Sequence, residues 1–138
     1  MSLAEAKTDR KVTMTTNESP FACDMNAIEA DDRLKHLATI ETLFGLVQEV
    51  TELQNGYRFR LPGESHVWML ASDFVALERL CCPFFDFNLG VEREHGSMYL
   101  SLTGREGVKP FIIAEVGRHL TQIRHQPNQI NQARRSQA

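Results

Sequence analysis

The chain has 138 residues, enough for one domain with a real core and too few for two of ordinary size. Hydrophobic residues make up 42% and charged residues 24%, which excludes global disorder. A net charge of -3 argues against a nucleic-acid partner or an anionic membrane surface.

No apolar run is long enough to span a bilayer, and residues 1–20 lack the apolar stretch of a signal peptide. These features predict a cytoplasmic protein, a compartment in which thiols stay reduced. Residues 1–21 are expected to form a flexible segment, 22–120 a single domain, and 121–138 a flexible polar tail. That tail holds Arg124, Arg134 and Arg135 with no acidic residue. A solvated tail is the simpler reading, and an arm for an acidic partner the sharper one.

Asn26 followed by Glu29 has the pattern of a capping box and predicts a helix running to about Phe44. Leu37, Ile40, Phe44 and Val47 mark its apolar face, with His36 on the exposed side. Residues 46–53 and 57–61 read as strands joined by an Asn55-Gly56 type I′ turn. Tyr57, Phe59 and Leu61 alternate with Arg58 and Arg60, so one face of the second strand is buried.

Pro62-Gly63 ends that strand, and Ser65 is a candidate N-cap for a second helix. Its apolar stripe is Val67, Leu70, Ala71, Phe74, Leu77 and Cys81, and Pro83 stops it. A third strand places Phe85, Phe87, Leu89 and Val91 on one face, and His95-Gly96 makes a turn. The fourth strand turns Met98, Leu100 and Leu102 inward. Gly104 and Gly107 break it, and Pro110 opens a last helix to about Leu120. The order α-β-β-α-β-β-α predicts an α+β fold: a four-stranded antiparallel sheet with helices packed on one face.

The chemistry-bearing feature is the pair Cys81-Cys82 followed by Pro83 and Phe84. Cys81 continues a core stripe, so packing is its simplest role. Cys82 falls at the stripe's edge, and at least one of the pair is expected to be partly accessible. Both stand at a helix C-terminus, where the dipole disfavours thiolate, and Glu78 adds to that effect. Nucleophilic catalysis therefore ranks third among the readings. A soft cation reverses the argument, because it deprotonates thiols and gains from negative surroundings.

Cys23 is the one remaining thiol and the candidate third ligand. Three thiolates suit arsenic, mercury or copper(I), and zinc when a fourth donor joins. Glu78, Asp86 and His95 are the candidate additional ligands. A strained vicinal Cys81–Cys82 disulfide ranks below metal binding. The competing reading is a non-catalytic interaction or ligand-binding module, in which the cysteines are structural and a second copy of the chain is a candidate partner. His66 falls near a helix start, His119 and His125 read as solvated, and Trp68 as a packing anchor. Residues 102–107 (Leu-Thr-Gly-Arg-Glu-Gly) lack the GK[ST] end of a phosphate loop and read as turn chemistry.

The run from Ala76 to Phe87, which contains Glu78-Arg79-Leu80-Cys81-Cys82-Pro83-Phe84, and the later Leu102-Thr103-Gly104-Arg105-Glu106-Gly107 resemble a group of small bacterial proteins. Their pattern is ERxCCPF, an alternating strand, LTGxEG and a final helix, with an early cysteine matched here by Cys23. The likeness covers roughly residues 22–116. Some members are encoded near regulators of mercury or arsenic resistance. The resemblance therefore implies a soft-metal or metalloid role and carries no enzymatic activity with it.

Overall fold

The computed structural model describes residues 18–124. The expectations for residues 1–17 and 125–138, with His125, Arg134 and Arg135, lie outside the described residues. Four strands form one sheet: β1 (Glu49–Leu53), β2 (Gly56–Leu61), β3 (Asp86–Val91) and β4 (Met98–Thr103). The helices are α1 (Ala30–Gly45), α2 (Ser65–Cys81), α3 (Val108–Val116) and the short α4 (Thr121–Arg124). The order and the antiparallel sheet are those the sequence predicts.

The strands lie in the order β1-β2-β4-β3, every neighbour antiparallel. Side-chain alternation then decides what is covered. Phe59 sits between Val50 and Leu100, and Tyr57 faces Leu102. All five are buried, while Arg58 points to water. The helices cover this apolar face. Phe44 from α1 meets Phe59 edge-on at 5.2 Å and Phe74 from α2 at 5.3 Å. Edge-to-face contacts of this kind stabilise beyond the area they bury.

Several local expectations shift. The hairpin turn is Gln54-Asn55, one residue earlier than predicted, and Leu53 pairs with Gly56. Gly56 has no positive φ. It is glycine because a Cβ there would lie 2.0 Å from the Leu102 carbonyl oxygen of β4. The first helix begins at Ala30 without a side-chain cap, and Asp24 instead caps a 3-10 turn over Met25–Ala27 by accepting from the Asn26 N–H. Glu64, not Ser65, stands at the N-cap position of α2. Val91, at the end of edge strand β3, is exposed. Beyond Leu120 the chain adds the turn of α4, whose Ile123 is buried in the core.

Candidate thiol and metal site

The site gathers where α2 ends. Helical spacing puts Phe74, Glu78 and Cys81 on the buried side of α2. The Cys82 N–H closes the helix by donating to the Glu78 carbonyl at 2.8 Å. The segment before α1 then crosses this end, fixed by the Asp24 N–H donating to the Cys81 carbonyl at 2.9 Å. That contact brings in Cys23. Its sulfur is joined to that of Cys82 as a disulfide, with the Cα atoms 5.0 Å apart, inside the usual range of such links.

This corrects one sequence expectation and sets aside one lower-ranked alternative. The three cysteines are not all free, and the vicinal Cys81–Cys82 bridge does not form. The Cys81 and Cys82 sulfurs lie 3.9 Å apart, and the partner of Cys82 comes from 59 residues away. The expected partial accessibility of the adjacent pair is also corrected. Cys81 and Cys82 are both buried, and Cys23 is the exposed sulfur.

Glu78, a candidate additional ligand, is buried. Its Oε1 lies 2.8 Å from His36 Nε2 and 3.6 Å from Cys81 Sγ. His36, expected to be exposed, is 1% accessible on α1 and stacks at 6.0 Å on Phe74. A neutral imidazole donating from Nε2 to Glu78 leaves Nδ1 as a bare acceptor, and Nδ1 has no partner among the described residues. The sequence signal was present in principle. His36 lies one turn from Thr39 and Ile40 and two turns from Leu43, on a face that a broad apolar stripe would include.

Burial first, and then the neighbouring Glu78 carboxylate, push the Cys81 thiol up from 9.0 to about 12. The more distant Asp24 acts in the same direction. Free Cys81 is therefore a protonated thiol at neutral pH, which weighs against a nucleophilic role.

One ligand atom from each of Cys23, Glu78, Cys81 and Cys82 lies within 4.8 Å of all the others. Asp86 and His95 do not belong to this group. Asp86 alternates with Phe85 and Phe87, so the pleat turns it outward to an exposed position. His95 is exposed in the β3–β4 turn, whose backbone approaches Gly63 at the start of α2. The 17 residues of α2 separate that end from the thiols by about 25 Å.

A cavity of about 280 Å3 adjoins the cluster. Cys23, Glu78 and Cys81 line it, together with Met25, Leu37, Ile40, Phe74 and Val116. Glu41, Glu115, Arg118 and His119 supply its polar wall. His119, read from sequence as solvated, is thus part of the site's surroundings.

The loop after β4 is turn chemistry, as expected. Gly107 has φ 100°, and Arg105 reaches back over the Phe21 ring at 4.1 Å and to Glu18. Among the described residues no helix is long and apolar enough to cross a membrane. No protein-family model, no curated protein and no solved structure matches the chain.

Proposed function

We propose that this protein binds a thiophilic metal or metalloid ion through Cys23, Cys81 and Cys82, with Glu78 as the oxygen donor. The observation that carries the reading is the convergence of three sulfurs and a carboxylate within 4.8 Å. Soft thiolates select arsenic(III), mercury(II), copper(I) or zinc over hard cations. The likeness of the CCPF and LTGREG runs to proteins encoded near mercury and arsenic resistance regulators points the same way.

Binding uses the reduced form. A low-molecular-weight thiol opens the Cys23–Cys82 bridge: two RSH become RSSR, and two cysteine thiols are released. The incoming ion then displaces the thiol protons, so affinity is coupled to pH. Glu78, 3.6 Å from the Cys81 sulfur, is the nearest proton acceptor, and His36 holds that carboxylate in place. Such supporting contacts typically change metal affinity by about 10–100-fold.

The disulfide itself favours a second reading, in which Cys23–Cys82 is a structural staple and Cys81 is packing. One experiment separates the two. Freshly reduced protein is offered zinc or arsenite in excess glutathione and weighed by native mass spectrometry. Retention of one equivalent, lost in Cys82→Ser, is the expected result. A reduced, folded protein that retains neither would leave the staple reading standing.

A further inference from the structure

The space beside the thiols is larger and more apolar than a bare ion requires. An inorganic ion needs a cage of donor atoms and little else. Here about 280 Å3 of cavity adjoins the cage, walled by Met25, Leu37, Ile40, Phe74 and Val116. A cavity of roughly 150 Å3 with aliphatic and aromatic walls already accommodates benzene. The volume therefore takes a ring-sized apolar group in direct reach of the donors. Two sulfurs, those of Cys23 and Cys81, line the same cavity.

Building on the soft-metal reading above, we propose that the ligand is a monosubstituted trivalent arsenical, R–As(OH)2, whose aryl or alkyl group R occupies this cavity. Arsenic that carries one carbon has two further bonds to make, and Cys23 and Cys81 supply two sulfurs. Each thiol replaces one hydroxyl. Two As–O bonds break, two As–S bonds form, and each thiol proton departs with a hydroxyl as water. Arsenic stays trivalent throughout. The prior opening of the Cys23–Cys82 bridge consumes two equivalents of a thiol reductant, as described above. An organomercury cation has a single bond to offer sulfur and would leave the paired cavity thiols without a joint role.

The test compares arsenite with phenylarsine oxide, hydrated in water to phenylarsonous acid, on the reduced full chain in excess glutathione. Burying the ring should favour the phenyl compound by roughly tenfold to a hundredfold. Leu37→Trp, at a position 48% exposed and therefore tolerant of bulk, should fill the cavity. It should remove that preference and keep arsenite binding. Cys82→Ser should lose arsenite, which takes three thiols, and keep the phenyl compound. Cys81→Ser should lose both.

Equal affinity for the two compounds, or a phenyl preference that survives both Leu37→Trp and Ile40→Trp, would overturn the proposal while leaving the soft-metal reading intact. Failure to retain either compound would overturn both.

Discussion

Glu52 and Glu78 are both withdrawn from water, and the chain satisfies them in opposite ways. Glu52 on β1 meets Lys109 of α3 as an ion pair. The same Lys109 Nζ donates to the Leu53 carbonyl at 2.8 Å and sits 5.6 Å from the centre of the Tyr57 ring. That charge is matched, and its role is to tie α3 to the sheet. Glu78 instead meets an imidazole and a thiol. The groups that act on the Cys81 thiol through space are carboxylates, Glu78 and Asp24. The first arrangement sets charge against charge, with Glu52 Oε1 left as a buried acceptor that has no hydrogen-bond partner among the described residues. The second gathers sulfur and oxygen donors beside carboxylates, the arrangement on which the proposed ion binding rests.

This contrast can be broken first by redox. Reducing the Cys23–Cys82 bridge frees a loop of 59 residues' separation, for which chain entropy gives about 4 kcal/mol. Urea melts with and without reductant should show that loss, and Cys23→Ser should abolish the difference. Next comes the ion pair. Lys109→Met leaves a mostly buried Glu52 carboxylate without its cation and should cost about 2 kcal/mol, discounted for partial exposure, with metalloid retention unchanged. The complementary change, Glu78→Gln, should lower zinc or arsenite affinity about tenfold at small cost in stability. If Glu78→Gln unfolds the protein and leaves affinity alone, the two carboxylates are the same kind of device.

The last test is a pH window, confined to alkaline solution. The folded Cys81 thiol is raised from 9.0 to about 12, so the native state favours the protonated form. Its stabilising contribution is full below pH 9 and is lost as pH rises towards 12. Melts of wild type and Cys81→Ser should therefore converge across that range. Parallel curves would show that Cys81 does not titrate with unfolding.

The sheet was legible because alternation is local. Tyr57, Phe59 and Leu61, and then Met98, Leu100 and Leu102, state their buried face in six residues each. The hairpin was legible and its register was not, since Gly56 answers to Leu102 on a strand that arrives more than forty residues later. The site was half legible. Cys81-Cys82 beside Pro83 announced itself, and Cys23 followed as the remaining thiol. The His36–Glu78 contact spans 42 residues between two helices, and His36 looked solvated when read on its own helix. His95 was misplaced for the same reason: the turn was recognised, but which end of α2 it meets is a property of the packing.

Cys23 reaches the cluster on an irregular segment rather than on a helix or strand, and Phe21 two residues earlier helps hold that segment down. The Phe21 ring packs edge-on against Phe84 at 5.2 Å, stacks on Phe111 at 6.2 Å, and leaves no room for a Cβ on Gly107, which would come within 2.8 Å of it. Under the proposed soft-metal reading, this aromatic latch would set denticity. With Phe21 seated, the reduced protein presents three sulfurs. Gly107→Ala, which would press on the Phe21 ring, should then loosen Cys23 and, on that reading, shift binding towards a two-sulfur mode.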